Sequence, residues 1–251
     1  MELYLLCAFA FFAGFVDSIV GGGGLVQIPA FFVLYPHLSV PNVIGTNRLA
    51  SSVGTAVAAI NYARNVKIPW KTVAAASLAA AICSFWGVTL QSSLPSGVLK
   101  PIILLLIVGI AVYTFRKKDL GHQEQLRATG SGLAWWAAAL GAVLGFYNGL
   151  IGPGTGSLLV FGLVSVMGYG FLRASAMAKV INVVADVSSL VFLLLNKYVL
   201  FHLALPMMAC NVAGSYLGSR MAMLRGNAFI RKVFLVVVAG IVLRFAWDLL
   251  K

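Results

Sequence analysis

Four charged residues lie inside long apolar stretches of this 251-residue chain: Asp17, Arg48, Lys179 and Asp186. A lone ion at the centre of a membrane helix costs at least ~2.5 kcal/mol on insertion scales, so such groups pair, face water or bind something. Arg48 stands in GTNRLASSVGTA and Lys179 in SAMAKVINVVADVSS, each early in an apolar segment. Two cations so placed suit the neutralisation of an anion; for either one alone, the plainer reading is a side chain that snorkels to the interface. Asp17, in GFVDSIV, is expected to pair with Arg48 or Lys179, or to carry a coupling proton, with pairing preferred. Asp186 is the second acid open to either role. Thr46, Asn47 and Asn182 bring neutral polar groups beside the cations.

Two glycine-rich breaks accompany these charges, SIVGGGGLVQIP and GFYNGLIGPGTGSLLV. Each glycine costs a helix about 1 kcal/mol relative to alanine, and broken backbone at membrane depth is tolerated only where it is buried in protein or lines a cavity. The first turn of a new helix presents unpaired N–H groups and a dipole end worth roughly +0.5 charge. Gly21, Gly22, Gly23 and Gly24, with Gly152, Gly154 and Gly156, would let a ligand approach those N–H groups, and Gln27, Thr155 and Ser157 add donors. Two such ends meeting would form an anion site. The alternative is that the glycines serve only close helix packing; their recurrence at matching positions favours the cavity.

Neither break is a nucleotide loop, since GPGTGS has no following Lys-Ser/Thr. The chain offers no hydrolytic triad, metal-ligand cluster or redox centre, so it reads as no enzyme, with no metal and no cofactor. Cys7, Cys83 and Cys210 are scattered and read as buried thiols.

The elements that must position these residues are membrane helices. Hydrophobic residues make up 61% and charged residues 10%, with mean hydropathy +0.98, whereas a soluble domain carries about 25% charged residues. Apolar runs at 98–115, 132–151, 180–195 and 233–250 approach the ~20 residues that span a bilayer. The first segment lacks a basic start and reads as a retained helix rather than a signal peptide. The net charge of +12 does not imply nucleic acid, because the basic residues sit in short loops, where cytoplasmic retention accounts for them. Trp70, Trp135, Trp136 and Trp247 fall near expected membrane boundaries.

Shifting the chain against itself by 131 residues superposes Gly14-Phe15 on Gly145-Phe146, Gly21 on Gly152, Gly23 on Gly154, Arg48 on Lys179, and Ser84 and Gly87 on Ser215 and Gly218. Such duplication is typical of transporters. The expected organisation is a first membrane repeat at 1–115, a polar linker at 116–131 and a second repeat at 132–251. With four crossings per half, basic loop residues divide ten against six. If the glycines break the chain into five segments, one side collects Arg64, Lys67, Lys71, Arg116, Lys117, Lys118, Arg127, Arg173, Arg220, Arg225, Arg231 and Lys232. The other keeps only Lys100, Lys197, Arg244 and Lys251. Twelve against four fits positive-inside better. The expected fold is therefore an all-α polytopic membrane protein of two inverted repeats of about five helical segments each. Short broken helices meet at a central site, both termini lie outside and the linker is cytoplasmic.

On GFVDSIVGGGGLVQIP, IGTNRLASSVGTA, and GFYNGLIGPGTGSLL with AMAKVIN, the chain resembles the sulfite exporter TauE/SafE family, its YfcA-like branch above all. The resemblance covers nearly the whole chain. It implies a carrier in the bacterial inner membrane for anions such as sulfite, organosulfonates or related organosulfur anions, usually by export. It maps the family's glycine motifs onto Gly21–Gly24 and onto Gly152, Gly154 and Gly156, and its Thr-Asn-basic motif onto Thr46, Asn47 and Arg48. Asn148 departs from the family, whose second-half motif often carries an acid there. The expected function is a secondary transporter of a small anion working by alternating access, with proton coupling through Asp17 as an option. A passive anion channel and a non-transporting scaffold or sensor partner are the rivals. The expected partners are the anion and the lipid bilayer.

Overall fold

The computed structural model describes residues 1–95 and 131–249. The expected helix at 98–115 and nearly all of the 116–131 linker lie outside the described residues. Eight helices are described: α1 (Glu2–Val20), α2 (Gly23–Leu34), α3 (Val40–Asn65), α4 (Trp70–Ser93), α5 (Ser131–Leu150), α6 (Thr155–Ser165), α7 (Phe171–Leu195) and α8 (Phe201–Leu249). The protein is an all-α polytopic membrane protein. α1, α4, α5 and α7 are long and apolar enough to cross a bilayer. α3 has the length, but its inward polar residues lower its hydropathy. The first four helices map onto the last four at the 131-residue offset, with boundaries agreeing to within two residues before α8 runs on past Gly226, where it breaks at φ 66°.

Local sequence explains the boundaries. Ser39 caps α3, its hydroxyl accepting from the Asn42 N–H at 3.4 Å, and Pro41 pre-sets the first turn. α2 and α6 each follow a glycine in the left-handed region, Gly22 at φ 93° and Gly154 at φ 84°. A residue with a Cβ pays for that conformation, and glycine does not.

The halves interlock rather than sit side by side. α4 packs along α5 and α1 along α8, through small residues spaced by four. A Cβ on Gly141 would lie 2.2 Å from the Ala76 carbonyl oxygen, and one on Gly149 would lie 2.0 Å from that of Ser84. On the other seam, a Cβ on Gly214 would lie 2.0 Å from the Phe11 carbonyl oxygen. The contacts repeat across the halves: Gly87 faces the Phe146 carbonyl as Gly218 faces that of Phe15. Lipid tails supply no hydrophobic drive between helices, so association rests on this close backbone approach.

The buried apolar residues form two clusters. One holds Ile19, Tyr62, Val73, Ala137, Leu163, Ala174 and Ala222; the other holds Leu6, Phe31, Val43, Val88, Ile151, Leu193 and Leu203. α1 and α3 therefore start in the second cluster and end in the first, whereas their counterparts α5 and α7 start in the first and end in the second. Asp17 on α1 and Asp186 on α7 fall in sequence where one cluster gives way to the other.

Candidate functional site

The two breaks meet each other. Gly21, which ends α1, abuts the first turn of α6 so closely that a Cβ there would lie 2.3 Å from the Gly156 carbonyl carbon. Beside the crossing is a cavity of about 40 Å³, room for a few waters. Gly22, Gly23, Gly24 and Gln27 line it from the α2 side, and Gly152, Gly154, Thr155 and Gly156 from the α6 side. Asn47 and Arg48 reach it from α3, Asn182 and Asp186 from α7, and Asp17 from α1. Of the sequence-derived candidates, Gly21, Thr46, Ser157 and Lys179 do not line it. Thr46 faces the α7–α8 connection, where its hydroxyl accepts from the Leu200 N–H at 3.1 Å. Gly21 and Ser157 form the crossing itself.

Among the described residues, Asp17, Arg48, Lys179 and Asp186 are the only buried charged side chains. They form two cross-repeat arrangements. In the first, Lys179 Nζ donates to Asp17 Oδ2 at 2.8 Å, Thr55 donates to the same oxygen at 3.2 Å, and Asp17 Oδ1 accepts from the Gly23 N–H at 3.1 Å. Asp17 thus caps α2 with its own carboxylate. In the second, Arg48 donates to Ser189, to the Asn148 carbonyl oxygen, and to Asn148 Oδ1 at 3.3 Å. Arg48 Nε stands 3.8 Å from Asp186 Oδ1, and that oxygen accepts from Asn148 Nδ2 at 2.9 Å.

The repeat offset relates these sets residue by residue. Arg48 corresponds to Lys179, Asn148 to Asp17, and Asp186 to Thr55. The acid missing at Asn148 on α5 is replaced by Asp186 on α7, so the two sets carry the same charge in different geometry. Sequence reasoning left Asp17's partner open between the two cations, and the structure gives Lys179. It missed Thr55, Ser51 and Asn211 as lining groups. Asn211, alone in the apolar stretch ALPMMACNVAG, was the visible signal of the three.

Several polar groups at the cavity have no protein partner. Neither amide atom of Gln27 is hydrogen-bonded, nor are the carbonyl oxygens of the Asn47 and Asn182 side chains. Gln27 is 1% exposed. A buried polar group left unmade costs about 1–3 kcal/mol, so three unmet side chains around one cavity mark a place completed by water or ligand. Among the described residues no group of three His, Cys, Asp or Glu is placed to hold a metal ion.

Comparison with known proteins identifies the family. The chain matches the family described as "Sulfite exporter TauE/SafE" over residues 6–245. It is 33% identical over 247 residues to a "Probable membrane transporter protein ORF9" of Sinorhizobium sp, covering 98% of this chain and 93% of that one. It is 28% identical over 246 residues to a "Probable membrane transporter protein" of Haemophilus influenzae, covering 98% and 95%. With the "Probable membrane transporter protein YfcA" of Escherichia coli K12 the identity is 29% over 239 residues, covering 95% and 87%. No solved structure matches. The chain belongs to the sulfite exporter TauE/SafE family of membrane transporters.

Proposed function

We propose that the protein is a secondary carrier, working as an exporter, for a small oxyanion such as sulfite or an organosulfonate. The supporting observation is the cavity, where both broken helices begin beside Arg48 and the Gln27 amide nitrogen, a donor, has no protein partner. The anion lies at the α6 end. Asp17 already occupies the start of α2, while Asn148, at the equivalent place before α6, is neutral. Gly152, Gly154, Thr155 and Gly156 admit it to the helix end, Arg48 supplies the charge, and the Gln27 amide nitrogen donates to one of its remaining oxygens.

The test is uptake of methanesulfonate, thiosulfate and sulfite by proteoliposomes. Arg48→Gln is expected to lower uptake by at least about tenfold, equivalent to ~1.4 kcal/mol, at unchanged protein yield. Full activity in that variant, or no transport of any of the three by the parent protein, would sink the site. Trans-stimulation by internal anion separates a carrier from a channel.

The proposed arrangement in a bacterial inner membrane is two inverted repeats with the 116–131 linker cytoplasmic and both termini outside. Two contacts support it. Arg173 Nε donates to the Lys67 carbonyl at 2.9 Å, which suits the five-segment count that puts both on one face. The Asn42 side chain donates to the Tyr198 carbonyl at 3.4 Å, which sets the α7–α8 connection at the start of α3, away from Arg64. Cysteines introduced in the linker and near residue 2 are expected to label from opposite sides; labelling from one side refutes the inverted arrangement.

A further inference from the structure

We propose that each anion crosses together with one proton, that Asp186 rather than Asp17 carries it, and that the substrates are therefore singly charged oxyanions. This rests on the carrier reading above.

The two buried acids differ in how completely they are held. Asp17 has three close donors, from Lys179, Thr55 and the Gly23 N–H. Lys179 is 0% exposed and does not line the cavity, so that pair is a fixed strut between the halves. Asp186 has one close donor, Asn148 Nδ2 at 2.9 Å, and its contact with Arg48 is 3.8 Å. Both Arg48 and Asp186 line the cavity. The weakly made ion pair is the one at the ligand.

An anion that enters the cavity competes with Asp186 for a single guanidinium. Two negative charges beside one buried cation are unfavourable, and a proton on one of them relieves the repulsion. The charged groups that act on Asp186 are Arg48 from α3, Asp17 from α1 and Lys179 from its own helix, with the neutral Asn148 from α5. The buried faces of α4, α6 and α8 bring it no further acid or base among the described residues. Since Asp17 is committed to Lys179, the second cation offers Asp186 no replacement partner.

The proton count follows from charge. In the empty carrier the four buried groups sum to zero. In the loaded carrier the anion pairs with Arg48, and Asp186 is neutralised by a proton taken from water on the loading side and released with the anion on the other. Both forms that cross the hydrocarbon are then neutral at the site, and the membrane potential does no work on either. A dianion would leave a net charge behind. Direction is set by the combined gradients of anion and proton, not by voltage.

Proteoliposomes of the full chain loaded with a pH dye, their potential clamped with potassium and valinomycin, provide the test. Methanesulfonate uptake is expected to acidify the lumen by one proton per anion and to change less than about twofold across 100 mV, where a uniported charge gains ~2.3 kcal/mol. Voltage-driven uptake without acidification overturns the inference and leaves the carrier reading standing. So does transport of thiosulfate without methanesulfonate. No transport of any anion overturns both. A second variant keeps the net charge: Asn148→Asp/Asp186→Thr copies onto Arg48 the arrangement that holds Lys179. Coupled uptake is expected to fall at least about tenfold with membrane yield maintained, and unchanged coupling removes the assignment to Asp186.

Discussion

Lys179→Met is expected to remove most folded protein from the membrane, whereas Asp17→Asn/Lys179→Met restores much of it. Lys179 is 0% exposed and bonded to Asp17 at 2.8 Å across the two halves. Breaking a buried pair by removing one partner costs about 3–5 kcal/mol, because the other charge is stranded, while replacing both with neutral groups is often nearly neutral. Asn at 17 keeps an acceptor oxygen for the Gly23 N–H and turns its NH2 toward the Thr55 hydroxyl, which can accept it. Methionine fills most of the lysine's volume. Thermal unfolding in detergent, followed with membrane yield, is the measurement. A double variant no better than either single one would show that the pair is wanted for more than mutual neutralisation, and the fixed-strut role would fall with it.

Much of this architecture was legible in the sequence because duplication and apolarity are one-dimensional signals. The 131-residue offset that aligns Gly21 with Gly152 also aligns the helices of the two halves. The break after Val20 was legible because four glycines in an apolar run have no helical rationale. What the chain did not disclose was which residues meet across the halves. Thr46 and Asn47 are neighbours, yet on a helix they point about 100° apart; Asn47 lines the cavity and Thr46 caps a loop. Asn148 looked like the loss of an acid. Only the packing of α5 on α7 shows that Asp186 fills its electrostatic place from another helix. Cys7 and Cys210, far apart in sequence, come close enough to interact where α1 meets α8; no spacing rule could have paired them.

Gly21→Ala carries the second large expected effect, and Gly226 supplies its control. Gly21 has φ 78° and ψ 170°, and Gly226 has φ 66° and ψ −161°. Both fall in a region that is essentially restricted to glycine, where another residue costs of order 1–3 kcal/mol. Their surroundings differ completely. A Cβ on Gly21 would lie 2.3 Å from the Gly156 carbonyl carbon and 2.4 Å from the Ser157 nitrogen, both backbone atoms that no rotamer change can move, while among the described residues a Cβ on Gly226 would meet nothing within 4 Å beyond its own stretch of helix. Overpacking of this kind adds typically 1–3 kcal/mol, so Gly21→Ala is expected to be the more damaging by about that amount and to abolish transport. Gly24→Ala should fall below both: its Cβ would meet Pro153 Cα at 3.2 Å, and its φ carries no left-handed strain. The order Gly21, Gly226, Gly24 in unfolding temperature separates two reasons for having glycine at the break. If Gly226→Ala is as harmful as Gly21→Ala, backbone conformation alone accounts for the residue. If Gly21→Ala is clearly worse, the glycine is there so that one broken helix can rest against the first turn of the other, which is the contact that forms the wall of the cavity.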